Sequence, residues 1–320
     1  MNQPPAIQVS RLTYHYGRRR ALDDLSFSIA QGEIFAFLGP NGGGKTTLFR
    51  LLSTLIPLQQ GDVQILGHDL RAATELIRAQ IGVVFQAPSL DKKLSVAENL
   101  RHQGNLHGLS GDNLRERSAH MLDRLGLAAR SRDRVETLSG GLRRRVELAK
   151  GMLHSPRLLL LDEPSTGLDP AARSDLWNYL RTVRDQQGVT VVLTTHLLEE
   201  AEKADRIAIL HEGQRVALDS PDALRATVGG DSITIQTADP ARLAADIAER
   251  FNVEPLVLDG SVRLEQAAGH EWIVRLVEAF PQQIESITLG KPTLEDVFIA
   301  RTGHRFWQEA SPEASPSGTR

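Results

Sequence analysis

One short stretch, GPNGGGKT from Gly39 to Thr46, limits what this chain can fold into more than any other. It satisfies G-x-x-x-x-G-K-[ST] in full and stands between an apolar run, EIFAFL at 33–38, and a helical pattern, TLFRLL. Strand, glycine-rich loop and helix in that order curl the backbone, so that successive N–H groups and the positive end of the helix dipole converge on one point. Lys45 adds a point charge suited to β- and γ-phosphate oxygens, and Thr46 offers a hydroxyl to Mg²⁺. Gly39, Pro40, Asn41, Gly42, Gly43, Gly44, Lys45, Thr46 and Thr47 are read together as a nucleoside-triphosphate cradle. The motif by itself leaves GTPase, kinase and motor chemistries open.

Three further apolar runs, IGVVF (81–85), RLLLL (157–161) and VTVVLTT (189–195), are separated by helical patterns, as in the buried parallel sheet of an α/β fold. IQVSRLTYHYG, ALDDLSFSI and GDVQILG instead alternate apolar and polar residues and read as an antiparallel β layer. From about 92 to 155 the pattern is helical, with Ser95 and Glu98 forming a capping box at one helix start. Asp169-Pro170 predicts a cap and first-turn proline for a helix through Gln186, and IAILHEGQRVALD (207–219) predicts a hairpin around Glu212-Gly213. The remainder spells β-α-β-β-α-β, a small α+β unit of ferredoxin-like type. The expected domains are therefore a nucleotide-binding domain at 1–228 with a helical insert, an accessory domain at 229–303, and a Ser/Pro-rich tail at 304–320 that is expected to be disordered.

Composition narrows the function classes. A net charge of -3 gives no global attraction to nucleic acid or to an anionic membrane; any nucleic-acid role would need a local patch, and no nucleic-acid partner is expected. The absence of cysteine excludes disulfides, thiolate catalysis and cysteine metal sites. MNQPPAIQVS has no secretory pattern, and no run approaches the ~18 apolar residues of a membrane span. If the protein works at a membrane, a second chain must cross it.

Two more features carry chemistry. RLLLLDEP ends a buried strand in Asp162 and Glu163. An acid at the end of a strand beside the phosphate loop is placed to hold the water shell of Mg²⁺, the role read for Asp162. Glu163, next in line, can orient or deprotonate an attacking water. Far from the first cradle, LSGGLRRR (138–145) opens another helix: Ser139 can cap it, and the N–H groups of Gly140 and Gly141 make a second anion site. Its apolar face is read as Leu142, Val146, Ala149 and Leu153. Such a cap alone is most often structural.

This segment is similar to the LSGGQ signature of the ATP-binding-cassette ATPases, and the family's other motifs stand in order around it across nearly all of the first 220 residues. The resemblance implies ATP and Mg²⁺ as ligands and a head-to-tail homodimer, in which the signature of one cassette contacts the γ-phosphate held by the other. Tyr16 matches the aromatic that stacks on adenine, with Tyr14 as competitor. Gln86 matches the glutamine that reaches Mg²⁺ and the attacking water, and the segment after it matches the one facing a membrane subunit. Asp169, in STGLD, matches the residue that crosses the dimer seam, and His196 the γ-phosphate-sensing histidine. Lys45, Gln86, Glu163 and His196 are the catalytic set, with Thr46, Gln86 and Asp162 around the metal. Arg143 to Arg145 are expected to be a solvated or structurally paired helix face. Two departures stand out: Leu142 replaces the usual glutamine, and Gly43 stands where alanine is common, which is expected to cost little more than backbone entropy.

GKPTLEDVFIARTG (290–303) resembles the C-terminal signature of cassettes paired with ABC-2-type permeases. It implies an exporter of a drug, antibiotic or lipid-linked glycan, peripheral on the cytoplasmic face of the cell membrane and driving a separate permease. Two other readings are a soluble cassette ATPase acting on ribosomes or DNA, and a nucleotide-gated binding module. The first commonly has two cassettes in one chain or a long coiled-coil insert, whereas here neither a second phosphate loop nor a basic arm appears, and the intact Glu163 and His196 speak against the second.

Overall fold

The computed structural model describes residues 4–258, 260–304 and 306, in two compact units that divide between Leu218 and Asp219. In the first unit the apolar runs form a parallel sheet. Strands β3 (Ile34–Leu38), β6 (Ile81–Val84), β7 (Leu158–Asp162), β8 (Thr190–Thr195) and β9 (Arg206–His211) lie in the order β9-β3-β8-β7-β6, with β10 (Gln214–Asp219) outside β9. Every residue of β3, β7 and β8 is buried, as expected for strands covered on both faces. The β9–β10 turn is Glu212-Gly213, with φ of 49° and 79°, the positive pair that a tight right-twisted hairpin needs.

The alternating segments form the second sheet of this unit, in the order β2-β1-β4-β5: β1 (Ile7–Tyr16), β2 (Arg19–Ile29), β4 (Gln60–Ile65) and β5 (His68–Asp69), all antiparallel. Their inward residues share one core with α1 (Lys45–Leu52), α2 (Thr74–Gln80) and the central sheet, including Leu12, Phe27, Phe35, Phe37 and Leu48. The helical insert comprises α3 (Val96–Leu106), α4 (Gly111–Arg124) and α5 (Gly140–Met152). At the start of α3 both halves of the Ser95/Glu98 capping box are made. On α5 the buried apolar residues are Val146, Leu148, Ala149 and Met152, followed by Leu153, while Leu142 is only half-buried. The predicted face is thus rotated slightly away from Leu142, because Glu147 is also buried, with its own polar partners. Asp169 caps α6 (Pro170–Gln187), and α7 (Leu198–Ala201) follows β8.

The second unit begins ahead of the 228 boundary expected from sequence, because α8 (Pro221–Ala226) packs on α11 (Leu294–Thr302). Between them run β11 (Asp231–Gln236), α9 (Pro240–Phe251), β12 (Leu256–Leu258), β13 (Ser261–Gln266), α10 (Gly269–Ala279) and β14 (Ser286–Gly290). The sheet is antiparallel, in the order β12-β13-β11-β14. Ile233, Ile235, Val262 and Leu264 pack with Leu243, Ile247 and Leu276 of α9 and α10. Arg263, which alternates with those core residues, pairs instead with the buried Asp296 of α11. The segment expected to be disordered lies, apart from His304 and Phe306, outside the described residues.

Candidate functional site

The carboxyl ends of parallel strands face the same way, so whatever follows β3, β6, β7 and β8 meets at one edge of the sheet. After β3 comes the phosphate loop. Gly44, with φ of 100°, is the N-cap of α1, and a β-carbon there would stand 2.9 Å from both Ala21 O and Leu22 Cδ2. Only glycine meets both demands. At Gly43 a β-carbon would lie 3.0 Å from Leu210 O and 3.1 Å from Pro40 O. This corrects the expectation that alanine would differ only by backbone entropy, since the β9–β10 hairpin crowds the loop. Lys45 is buried and donates from Nζ to Gly39 O at 2.6 Å and Pro40 O at 2.9 Å. Burial pushes its pKa down, while Glu163 and Asp162 pull it up.

β7 supplies the acids. The buried Asp162 carboxylate accepts a 2.6 Å hydrogen bond from Thr194 Oγ1 of the neighbouring strand, a pairing set by the Asp162–Thr194 register. Desolvation raises its pKa, with the Thr194 bond opposing. Glu163 follows with φ of 43°, a left-handed conformation rare outside glycine. Its N–H donates to Thr194, with Oγ1 at 3.0 Å and O at 3.2 Å. Its Oε2 is approached by Gln86 Nε2 at 3.0 Å, His196 Nδ1 at 3.2 Å and Thr166 Oγ1 at 3.3 Å. The ends of β6, β7 and β8 thus bring Gln86, Glu163 and His196 onto one carboxylate oxygen.

A cleft of about 150 Å³ joins this carboxylate to the loop, lined by Tyr16, Asn41, Gly42, Lys45, Thr46 and Glu163 among others. The two tyrosine candidates separate cleanly: Tyr14 is 6% exposed within the core, whereas Tyr16 is 44% exposed and meets it edge-on, with ring centroids 5.1 Å apart. Tyr16 is the aromatic able to take a planar ligand on its face.

The helix start expected to form a second anion site lies elsewhere. Ser139 accepts from Leu142 N at 3.3 Å and caps α5, and Ser139 and Gly140 are exposed to solvent. Asp169 is also exposed and accepts from Ala172 N at 2.8 Å. A β-carbon on Gly141 would stand 3.2 Å from the Ala172 methyl, so these two helix starts are neighbours. Neither belongs to the cleft around Lys45.

Several residues at the site escaped sequence reasoning. Arg19 lines the cleft beside Tyr16, and Thr194 bridges the two acids. A hydroxyl ending an apolar strand was the available signal for Thr194. Arg145 pairs with Asp175 at 2.6 Å, as expected of a paired face. Arg144 is buried against backbone carbonyls, which nothing in its spacing foretold. Among the described residues no cluster of three or more His, Asp or Glu could hold a metal by itself.

A phosphate loop, an acidic pair on a nearby parallel strand, and a glutamine and histidine converging on the second acid define an ATPase of the phosphate-loop class. A family model described as ABC transporter matches residues 22–166. Daunorubicin resistance ATP-binding protein DrrA3 of Streptomyces coeruleorubidus is 38% identical over 307 residues, covering 93% of this chain and 96% of that one. Nod factor export ATP-binding protein I of Paraburkholderia xenovorans (strain LB400) is 36% identical over 310 residues, covering 94% and 98%. Among solved structures, a dimeric ATP-binding cassette in a post-hydrolysis state, bound to ADP and Pi, is similar with a TM-score of 0.61 at 27% identity, over 67% of this chain and 98% of its own. The chain belongs to the ABC transporter family and is an ATP-binding subunit of the cassette type.

Proposed function

We propose that this protein is the ATP-hydrolysing subunit of an ABC-2-type exporter, working as a homodimer on a separate membrane permease. The observation that carries the hydrolytic reading is the Glu163 carboxylate, held by Gln86 and His196 at the mouth of the cleft that contains Lys45 and Thr46. The backbone N–H groups of Gly42 to Thr46 and the Lys45 ammonium bind the phosphates, and Tyr16 stacks on the base. Glu163 aligns a water with the γ-phosphorus and takes its proton, the water oxygen bonds to phosphorus, and the bond to the bridging oxygen breaks to leave ADP and phosphate. His196, against the same carboxylate, contacts the γ-phosphate.

The Thr46 hydroxyl, the Asp162 carboxylate and the Gln86 amide oxygen form a hard oxygen donor set that fits Mg²⁺. Asp162 supports the fit, since burial raises its pKa despite the Thr194 hydrogen bond, a situation that a dication relieves. When bound, the ion neutralises charge on the β- and γ-oxygens.

Two features support the dimer. At about 150 Å³ the cleft is smaller than the roughly 300–1,000 Å³ of sites that enclose a whole ligand, which fits a site completed by another surface. Ser139, Gly140 and Asp169 meanwhile present exposed helix starts away from that cleft. In a head-to-tail pair each becomes the cover for the other copy's nucleotide. ATP closes the pair and hydrolysis releases it, which moves the permease between its two facing states. Among the described residues no helix is long and apolar enough to cross a membrane. In this reading the pathway belongs to the permease, and the present chain lies against the cytoplasmic face. Export, and a drug or lipid-linked glycan as cargo, are supported by the names of the relatives and by the 290–303 motif, whose Leu294, Val297, Phe298 and Ile299 are buried in the second unit.

Glu163→Gln tests this reading. It should abolish steady-state hydrolysis while retaining Mg·ATP in a dimer detectable by light scattering. A variant that stays monomeric at saturating nucleotide, or hydrolyses at the wild-type rate, overturns it. Coupling is read by co-expressing the protein with a candidate ABC-2-type permease, testing for co-purification and measuring cargo-stimulated hydrolysis.

A further inference from the structure

The second turn of α5 carries an arginine with an unusual environment. Arg144 donates from Nε to Pro164 O at 2.7 Å, from Nη1 to Phe85 O at 2.7 Å and from Nη2 to Asp162 O at 3.3 Å. All three acceptors are backbone carbonyls; burial pushes the guanidinium's pKa down, with the carboxylates of Glu147, Asp162 and Glu200 opposing. A buried cation whose hydrogen bonds go to neutral carbonyls, and which gains only longer-range attraction from those acids, is held there at a desolvation cost, so the placement calls for a reason.

The reason lies in which peptides it grips. Asp162 O and Pro164 O flank Glu163, whose φ of 43° is a strained conformation that persists only where the surroundings over-determine it. Phe85 O immediately precedes Gln86. Farther along α5, Glu147 accepts from Ser89 N at 2.5 Å and from Ser89 Oγ at 2.7 Å, and Lys150 Nζ donates to Ser89 O at 2.9 Å. One helix therefore holds the Gln86 loop on both sides and the Glu163 turn on both sides. The same helix begins with the Ser139 cap.

We propose that Arg144 is a positioning residue for hydrolysis, pinning the Glu163 turn and the approach to Gln86 to the serine-capped helix so that carboxylate, amide and second anion site keep one relative geometry. The proposal rests on the reading of Glu163 and Gln86 as the hydrolytic pair. The hydrogen bonds of Arg144 go to backbone carbonyls, so it acts through the backbone it holds. Lysine cannot replace it, because one ammonium is a point donor whereas the guanidinium is a planar fork reaching three separated carbonyls.

The test compares full-length wild type, Arg144→Ala, Arg144→Lys and Glu163→Gln in ATP turnover and in equilibrium titration with a methylanthraniloyl-ATP probe, with thermal melts to establish folding. None of the hydrogen bonds of Arg144 goes to the 39–47 loop, so probe affinity should stay within about twofold of wild type. Misplacing a catalytic group by about 1 Å costs about 100-fold, so kcat should fall by about that factor in Arg144→Ala and by at least about tenfold in Arg144→Lys. A folded Arg144→Lys with kcat within about twofold of wild type overturns the proposal, as does a loss of affinity that parallels the loss of kcat. If Arg144→Ala fails to fold, Arg144→Lys decides. Unchanged turnover in Glu163→Gln would instead remove the underlying functional reading, a result distinct from either outcome for the arginine.

Discussion

Thr194→Val offers the sharpest check on how the acidic pair is held. The substitution keeps the branched shape of a side chain only 2% exposed and removes a single hydroxyl. That hydroxyl donates to Asp162 Oδ1 at 2.6 Å and accepts from Glu163 N at 3.0 Å. Glu163 N retains Thr194 O at 3.2 Å, so the principal loss falls on the buried carboxylate. A hydrogen bond to a charged group contributes about 1.5–3 kcal/mol, against about 0.5–1.5 kcal/mol for a neutral pair. At neutral pH the variant should be less stable by about 1.5–3 kcal/mol.

The pH dependence follows from Asp162, whose folded pKa is raised, chiefly by desolvation, and would rise further without the hydroxyl. Between the ordinary value of 3.8 and the raised folded value, the native state binds more protons than the unfolded chain, so this group's penalty shrinks as pH falls through that window. The difference between variant and wild type should therefore narrow toward about 1 kcal/mol as Asp162 becomes neutral. Urea unfolding followed at the buried Trp177, with Trp272 and Trp307 changed to Phe, isolates the first unit. A difference below about 0.5 kcal/mol at neutral pH, or one that widens on acidification, would refute the argument.

Other perturbations have equally definite outcomes. Gly44→Ala must place a methyl 2.9 Å from Ala21 O at a φ of 100°, and should lose more than about 1 kcal/mol in denaturant unfolding together with nucleotide affinity. Gly43→Ala, with contacts of 3.0 and 3.1 Å, should lose less than Gly44→Ala in the same assay, since its φ is not positive. Lys45→Met removes the charge-assisted contact to the phosphates and should weaken ATP binding about 10–100-fold in calorimetric titration, without a matching loss of melting temperature. His154 stacks on His107 at 3.8 Å, and burial pushes its pKa down to about 4. The unfolded chain then binds more protons between about 4 and 6.5, so stability is lost as pH falls through that range, and His154→Gln should recover up to about 3 kcal/mol of the loss in urea titrations across it.

The chain announces its local structure through residues whose effects are short-range. Four apolar runs became strands because full burial on both faces selects β-branched and aliphatic residues, and Ser95, Ser139 and Asp169 became helix caps because their oxygens reach N–H groups within the following turn. The glycines of the phosphate loop, the acids after β7 and the two helix starts with anion-binding potential were legible for the same reason. Tertiary structure decided the rest. The strand order β3-β8-β7-β6 is not the chain order, and that order alone sets Gln86, Glu163 and His196 on one carboxylate oxygen. Burial separated Tyr16 from Tyr14, register put Thr194 beside Asp162, and packing sent Arg144, in a run of like residues, onto carbonyls at the ends of two different strands. Local propensity acts over a turn or a pleat, whereas a site built at the ends of separated strands depends on pairings that no neighbouring residue encodes.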